Sequence, residues 1–237
     1  MLPVERNLKL TLAYEGTNYF GWQKTDEGPS IEESLESALA TIFQHPIKLQ
    51  AASRTDRGVH SEGQVVNFIT AKENLNLHKL LLSINALLPH DIALLRLEEA
   101  PIDFHPTLDV LNKTYSYEIC FSAIQLPRHR LFSWHFHYPL NIKLMQQASE
   151  HLLGTHDFAA FCNSKKNEEY AHTVRTVQSI RLEETGNERL SLKITGDHFL
   201  YKMVRNIVGT LAYVGVGKIL KDSKRVDEVV AALEKIT

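Results

Sequence analysis

Residues 51–68 read Ala-Ala-Ser-Arg-Thr-Asp-Arg-Gly-Val-His-Ser-Glu-Gly-Gln-Val-Val-Asn-Phe. They join an apolar, strand-like lead at residues 47–51 to a second strand pattern at residues 64–69. The polar cluster between the two patterns ends in Thr-Asp-Arg-Gly, which is typical of a turn. The stretch therefore predicts that Asp56 lies on a connection between two strands.

Asp56 is flanked in sequence by Arg54 and Arg57. A guanidinium close to a carboxylate favours its ionised form, which suits a nucleophile or an electrostatic stabiliser better than a general acid. The alternative is a loop aspartate that caps its own turn, with both arginines solvated. The residues alone leave these two interpretations open.

The first half of the chain shows an alternating order of elements. A half-buried strand pattern covers residues 8–14, and Ser30 with Glu33 forms a capping box that begins a helix. After the two strands of the opening stretch come an apolar helix over residues 77–88 and a strand over residues 92–97. The order β-α-β-β-α-β predicts a ferredoxin-like lobe, with helices on one face of an antiparallel sheet.

The second half repeats this outline without a detectable sequence repeat. An alternating strand covers residues 113–121, and Asn141 is a suitable N-cap for a helix that stops at Gly154. Two strands joined around Gly186-Asn187 have the pattern of a hairpin. A helix with one apolar face is expected to begin at Phe199.

We therefore predict an α+β protein of two ferredoxin-like lobes, residues 1–103 and 104–237, with a cleft between them. A short charged helix is expected from about Ser223. With two cysteines, no visible signal peptide and no apolar run of about 18 residues, we expect a reduced cytoplasmic protein that is not inserted in a membrane.

The formal net charge of −2 argues, if anything, against a nucleic-acid partner, since such proteins are usually basic. The positive residues are nevertheless clustered, at Arg128-His129-Arg130, Lys165-Lys166, Lys202 with Arg205, and Lys218 to Arg225. A basic groove on an acidic protein therefore remains possible.

The opening stretch resembles the signature of the TruA family of tRNA pseudouridine synthases. That signature is usually Gly-Arg-Thr-Asp-x-Gly-Val-His-Ala followed by Gly-Gln-Val, and here it begins at Ser53 and ends at Val65. Two small residues differ, with Ser53 in place of Gly and Ser61 in place of Ala. The other positions match, which makes the resemblance more specific than that of a short motif.

Further segments extend the resemblance from residue 8 to about residue 215. They are similar to the family's Tyr-x-Gly-Thr-x-Tyr-x-Gly-Trp-Gln, Leu-Asn-x-x-Leu-Pro-x-Asp-Ile, Lys-x-Tyr-x-Tyr, Gly-x-His-Asp-Phe-x-x-Phe, Arg-Thr and Gly-x-x-Phe-Leu-Tyr-x-Met-Val-Arg-x-x-Val-Gly patterns. In this chain they stand at residues 14–23, 84–92, 113–117, 154–161, 174–177 and 196–209.

The resemblance implies a role for each matching residue. Asp56 matches the catalytic aspartate, which acts as nucleophile or assists glycosidic cleavage electrostatically. Arg54 matches an arginine that draws out the target nucleotide, and Tyr115 matches the tyrosine that stacks on the target uracil. Arg205 matches the arginine that pairs with the catalytic carboxylate.

The resemblance also implies the substrate and the assembly. We expect an isomerase that acts on uridines 38–40 of the tRNA anticodon stem-loop, works as a homodimer, and needs neither cofactor nor metal. Besides Arg54 and Tyr115, we assign substrate binding to Arg57, His60, Gln64 and Lys202.

Two departures from the family pattern motivate an alternative. Residues 104–110, Phe-His-Pro-Thr-Leu-Asp-Val, lack the arginine of the family's Phe-x-Ala-Arg-x-Ser-Ala, and the chain ends at Thr237 without the family's Ala-Pro-Ala-x-Gly-Leu segment. The alternative is a catalytically impaired relative that still binds tRNA. A third hypothesis, a metal-dependent phosphohydrolase, uses the histidines at positions 135, 137, 151 and 156, but no further ligands stand at a recognisable spacing.

Overall fold

A computed structural model describes residues 5–163 and 170–218 of the chain. The chain divides into two compact units, Met1–Val110 and Leu111–Thr237. The predicted boundary lay between residues 103 and 104, whereas in the structure residues 104–110 belong to the first unit. The short helix expected from about Ser223 lies outside the described residues.

Nine strands and four α-helices follow one another along the described chain. In chain order they are β1 (Arg6–Tyr14), α1 (Ile31–Phe43), β2 (Gln50–Ala51), β3 (Ser61–Thr70), α2 (Leu77–Leu87), β4 (Ile92–Ala100), β5 (Lys113–Cys120), β6 (Trp134–His135), α3 (Ile142–Glu150), β7 (Gly154–Asp157), β8 (Val174–Glu184), β9 (Arg189–Gly196) and α4 (Met203–Gly215).

The first unit confirms the predicted β-α-β-β-α-β order. Its sheet has the strand order β2-β3-β1-β4, and every neighbouring pair is antiparallel. Alternate residues of β1, namely Leu8, Leu10 and Leu12, are fully buried in one core with residues of both helices, such as Leu35 and Ile84. Both helices therefore cover the same face of the sheet, because a strand presents every second side chain to that face.

The predicted helix starts in the first unit follow from local capping. The Ser30 side chain accepts a hydrogen bond from the backbone N–H of Glu33 at 3.2 Å, which confirms this part of the capping box. Asn76 caps α2 in the same way, by accepting from Lys79 N–H at 2.9 Å. Helix α2 ends at Leu87, since Leu88 precedes Pro89 and is extended.

The second unit is built on a five-stranded sheet of order β6-β5-β9-β8-β7. The long strands β5, β9 and β8 are antiparallel, while β6 pairs in parallel with the end of β5. The predicted hairpin between β8 and β9 is confirmed, and its loop uses left-handed residues at Gly186, Asn187 and Glu188. The α+β class is thus confirmed, and the two-residue strand β6 and the short strand β7 were not predicted.

Two helix limits in the second unit differ from the prediction. Helix α4 begins at Met203 and not at Phe199, because Lys202 has a left-handed backbone with φ of 60°. Helix α3 ends at Glu150, before the predicted stop at Gly154. Gly154 itself, with φ of +97°, begins β7.

A buried pair of asparagines fixes the segment that follows β4. Asn7 and Asn67 are almost fully buried, and the Asn67 amide donates to the Asn7 side-chain oxygen at 2.9 Å. The Asn7 amide donates in turn to the carbonyls of Pro101 and Phe104, at 3.0 and 2.9 Å. Together with the Thr107 hydroxyl, which donates to the Ala51 carbonyl at 2.8 Å, these bonds explain why residues 104–110 belong to the first unit.

Within the described ranges, no helix combines the length and the apolar character that crossing a membrane requires.

We expect Asn7→Leu to lower the free energy of unfolding by about 1–3 kcal/mol, because it removes donors from partly buried carbonyls and a partner from the Asn67 amide. Thermal and urea unfolding would measure the change. Gln147→Leu, at an exposed position of α3, is the control and should alter stability by less than about 0.5 kcal/mol. Equal stability of the two variants would contradict this role for Asn7.

Candidate active site

The loop that carries Asp56 is held by its backbone against the loop that follows β1. The Thr55 carbonyl accepts a hydrogen bond from Trp22 N–H at 3.0 Å, and Gly58 N–H donates to the Tyr19 carbonyl at 3.3 Å. Within its own loop, the Asp56 carbonyl accepts from Val59 N–H at 3.2 Å. The position of Asp56 is therefore set by main-chain contacts on both sides of it.

Two glycines make this close approach possible. A Cβ atom on Gly21 would lie 2.6 Å from the Thr55 carbonyl oxygen, and Gly21 also has a φ of +105° that side chains disfavour. A Cβ atom on Gly16 would lie 2.0 Å from the Val59 carbonyl oxygen. The glycines of the Tyr-x-Gly-Thr-x-Tyr-x-Gly-Trp-Gln segment are thus required where its backbone meets the Asp56 loop.

Side chains reinforce the same contact. The Tyr14 and Thr55 hydroxyls are hydrogen-bonded at 2.9 Å, and Gly16 N–H donates to His60 Nδ1 at 3.1 Å. The buried Gln64 side chain donates to the Ser53 carbonyl. His60 and Gln64, which we assigned to substrate binding, are therefore seen here in contacts that shape the loop, and substrate binding by them stays a prediction.

The Asp56 side chain is exposed, as are those of Arg54 and Arg57. Within residues 5–163 and 170–218, no ion pair joins Asp56 to either arginine. The Arg57 guanidinium instead lies over the Phe20 ring, with its central carbon 4.1 Å from the ring centroid. A guanidinium stacked in this way keeps its N–H donors available at its edge.

Phe20 is itself held in place by contacts with the segment before α1. Its backbone N–H donates to the Pro29 carbonyl at 2.9 Å. A Cβ atom on Gly28 would lie 2.6 Å from the ring, so the ring packs directly against the glycine backbone. Gly28, Phe20 and Arg57 therefore form a stack beside Asp56.

Tyr19 connects the same loop to the start of β4. Its hydroxyl donates to the Asp91 carboxylate at 2.6 Å, and the Asp91 carbonyl accepts from Glu15 N–H at 2.8 Å. Burial, and then the hydrogen bond and charge of Asp91, raise the pKa of Tyr19 well above its usual range. Tyr19 therefore remains a neutral hydrogen-bond donor in the whole range in which proteins normally work.

Tyr115 lies in the second unit, on β5. It is half-buried, and its ring meets that of Phe199 edge to face, with centroids 5.3 Å apart. Lys113 lies two residues earlier on the same face of the strand, and burial lowers the pKa of its ammonium group. The strand thus presents an aromatic side chain and a partly desolvated lysine on one face.

Arg205 and Lys202 lie at the beginning of α4. Arg205 is exposed, while Met203, Val204 and Ile207 are buried, which confirms that it points away from the apolar face. Lys202 is the N-cap residue, and its ammonium lies 5.0 Å from the centroid of the Tyr201 ring.

The predicted site residues thus fall into two groups. The structure places five of them, Arg54, Asp56, Arg57, His60 and Gln64, on one loop of the first unit or at the beginning of the strand that follows it. The other three, Tyr115, Lys202 and Arg205, lie in the second unit. Pairing of Arg205 with Asp56, and a cleft between the lobes, stay predictions.

Two of the histidines considered for a metal site, His135 and His156, contact backbone carbonyls. His156 Nε2 is 2.7 Å from the Leu153 carbonyl oxygen. Its neighbour Asp157 accepts hydrogen bonds from the Thr173 hydroxyl and Ala159 N–H, which lower the pKa of this carboxyl. In the described part of the chain, no group of three or more histidine, cysteine or acidic residues could hold a metal ion.

The sequence analysis missed the residues that support the loop. Tyr14, Tyr19, Phe20 and the nearby glycines stand in the sequence only as part of the segment that resembles the family pattern. Trp22, in the same segment, is buried, and its backbone N–H donates to the Thr55 carbonyl. The signal that could have identified them was the pairing of two glycines with three aromatic residues in a short loop.

Known proteins match this chain over most of its length. A family model described as tRNA pseudouridine synthase matches residues 11–109 and 148–234. The tRNA pseudouridine synthase A 2 of Protochlamydia amoebophila is 54% identical over 215 residues, which cover 91% of this chain and 82% of that protein. The tRNA pseudouridine synthases A of Geotalea uraniireducens and Chlamydia trachomatis are 44% and 40% identical, over 90% of this chain and 86% and 79% of those proteins.

Among solved structures, a chain of a Cbf5-Nop10-Gar1 complex aligns with 86% of this chain and 45% of its own length, at 12% identity and a TM-score of 0.38, which is too low to support an inference. The family model and the curated relatives, in contrast, match most of the chain. The chain belongs to the tRNA pseudouridine synthase family.

Proposed function

We propose that this protein isomerises uridine to pseudouridine at positions 38–40 in the anticodon stem-loop of tRNA, with Asp56 as the catalytic nucleophile. The observation that supports the proposal most directly is the Asp56 loop. Its backbone is fixed by Trp22 and Tyr19, while its carboxylate is exposed and forms no ion pair in the described part of the chain. A nucleophile needs this combination of a fixed position and an available oxygen.

The reaction requires no external reagent. The N1–C1′ bond of uridine breaks, the uracil turns, and a C5–C1′ bond forms, while a proton leaves C5 and N1 becomes protonated. Attack of the Asp56 carboxylate on C1′ would form an ester to the sugar as the N1–C1′ bond breaks. After the uracil turns, attack of C5 on C1′ would break this ester bond and release the carboxylate. The chemistry therefore needs neither a cofactor nor a metal.

The uracil cannot turn inside a stem, so the target nucleotide must first leave its stack. We assign the extrusion to Arg54 and the aromatic contact with the free base to Tyr115, whose ring stays half-exposed on β5. Stacking on an aromatic ring contributes about 1–3 kcal/mol per base. The remaining proposed substrate contacts are those of Arg57, His60, Gln64 and Lys202.

The proposed working form of the protein is a homodimer in the cytoplasm.

Asp56→Asn should abolish pseudouridine formation in an unmodified tRNA transcript, because the amide is not a nucleophile. Binding of the transcript should stay within about tenfold of the parent, which corresponds to 1.4 kcal/mol. Mapping of pseudouridine would measure the product, and Asp103→Asn, at an exposed position of the same unit, is the matched control. Appreciable turnover by a folded Asp56→Asn variant would remove Asp56 from this role.

The same assay on the parent protein separates the proposed enzyme from the catalytically impaired relative. A parent that binds the transcript tightly but forms no pseudouridine would support the impaired relative.

We expect the guanidinium of Arg57, which is oriented by the Phe20 ring, to bind a phosphate of the tRNA. We expect Arg57→Lys and Phe20→Leu each to raise KM for tRNA about three- to tenfold, because a stacked guanidinium is oriented before it meets a phosphate. The double variant should be little worse than either single one, since both remove the same arrangement. Lys72→Met, which removes a cation from the Phe43 ring at the other end of β3, is the control. Fully additive effects would contradict this coupling.

Arg205 should act on Asp56 through a planar, two-pronged contact with the carboxylate. Arg205→Lys keeps the charge and loses that geometry, so we expect turnover to fall at least tenfold with an unchanged melting temperature. Arg181→Lys, at another exposed arginine of the second unit, should retain full activity. If Arg205→Lys turned over like the parent, Arg205 would be an ordinary surface residue.

A further inference from the structure

A continuous stretch of the second unit contains no acidic residue. The chain has 28 aspartates and glutamates among 237 residues, yet residues 119–149 contain none, while they include Arg128, Arg130 and Lys143. A polyanion is attracted by positive charge that no neighbouring carboxylate neutralises. The local charge of this stretch is therefore opposite in sign to the net charge of the chain.

Large aromatic side chains of the same unit are partly exposed. Trp134, Tyr138 and Tyr213 have 39%, 40% and 47% of their surface exposed. The buried ring of Phe136 joins them, with centroids 4.7 Å from Trp134, 5.4 Å from Tyr138 and 6.4 Å from Tyr213. Three partly exposed rings thus surround one buried ring, and part of each of the three remains accessible to solvent.

Lys218 places a positive charge on this cluster. Its ammonium lies 4.5 Å from the Tyr138 centroid and 5.5 Å from the Tyr213 centroid, and its backbone N–H donates to the Tyr213 carbonyl at 2.9 Å. The lysine is therefore held between two exposed rings, where it combines a charge with aromatic faces.

The loop that carries Arg128 and Arg130 is also ordered by specific bonds. The Gln125 side chain donates to the Ser133 hydroxyl at 2.9 Å, and that hydroxyl donates to the His129 carbonyl at 2.9 Å. Partial burial lowers the pKa of His129, and the guanidinium groups of Arg189 and Arg128 lower it further. These contacts indicate that the loop is presented in a defined conformation and in a positive local field.

Three glutamates border the stretch. Glu118 and Glu150 flank it in the sequence, and the backbone carbonyl of Glu188, in the hairpin that joins β8 to β9, accepts from Phe121 N–H at 2.9 Å. Within the described residues, none of the three forms an ion pair with the cations of the stretch.

We propose that Arg128, Arg130, Trp134, Tyr138, Tyr213 and Lys218 form an RNA-binding surface, here called the aromatic–basic surface, which contacts the tRNA substrate apart from the Asp56 loop. Cations bind the phosphates, and exposed aromatic rings stack on unpaired bases or pack on riboses. This inference rests on the proposed function, because that function supplies the nucleic acid. A second copy of the chain is the competing occupant, but a symmetric contact between two copies would place the same cations opposite one another.

The test measures binding of an unmodified tRNA transcript as a function of KCl concentration. The Arg128→Ala/Arg130→Ala double variant should weaken binding and reduce the slope of log K against log[KCl] by about 2, since each lost phosphate contact removes about one unit. Arg181→Ala, at an exposed position on β8, is the control and should leave the slope unchanged. An unchanged slope in the double variant would overturn the proposal.

The aromatic contribution has a separate test. Trp134→Ala should weaken transcript binding about 5- to 100-fold, with a slope close to that of the parent because no charge is lost. Trp134→Phe keeps an aromatic face and should restore most of the affinity. Equal weakening by both variants, or by neither, would contradict stacking at this position.

Light scattering of the same variants decides between RNA and a second copy. If Trp134→Ala or the double arginine variant changes the oligomeric state of the RNA-free protein, the surface is an interface between chains and the proposal is wrong. A parent that binds the transcript without forming pseudouridine would overturn the proposed function alone. A parent that forms pseudouridine, with variants that bind like it, would overturn this inference alone.

Discussion

The candidate site depends on one backbone contact, the hydrogen bond from Trp22 N–H to the Thr55 carbonyl. It joins the loop after β1 to the loop between β2 and β3, so the residue next to Asp56 is tied to the central strand of the sheet. The contact requires a glycine at position 21, because a Cβ atom there would meet the same carbonyl oxygen at 2.6 Å. Two further hydrogen bonds, between Tyr14 and Thr55 and between Gly16 and His60, join the end of β1 and the loop after it to the loop that carries Asp56. An exposed carboxylate can thus be placed reproducibly without being buried or paired.

This arrangement leaves the charged side chains of the loop available. Arg57 obtains its orientation from the Phe20 ring and not from Asp56, so the stack does not engage the carboxylate. If Arg57 were paired with Asp56, it would have to break that ion pair before it could bind a phosphate. An arginine stacked on an aromatic ring can bind a phosphate through its N–H groups and keep its contact with the ring. Phe20 therefore orients Arg57 without engaging the carboxylate of the neighbouring Asp56.

The sequence predicted most of the fold because its signals are local. The capping residues Ser30 and Asn141 and the hairpin residue Gly186 act within a few residues, and the alternation in β1 and β5 indicates directly which face is buried. The start of α4 was misplaced because the apolar pattern begins at Leu200, while the left-handed backbone of Lys202 delays the helix to Met203. Strand β6 was missed because two residues carry no periodicity.

The site was predicted less completely, since its supports act between distant residues. The motif around Asp56 identified the loop, but nothing local shows that His60 and Gln64 contact backbone groups of Gly16 and Ser53.

The net charge of the chain was a poor guide to its nucleic-acid partner, also because it is not a local quantity. A value of −2 averages over the whole chain, while a polyanion responds to charge within about 10 Å at ordinary ionic strength. Residues 119–149, which contain cations and no acidic residue, carry a local charge that the net value does not show, so an acidic chain can still offer RNA a positive surface.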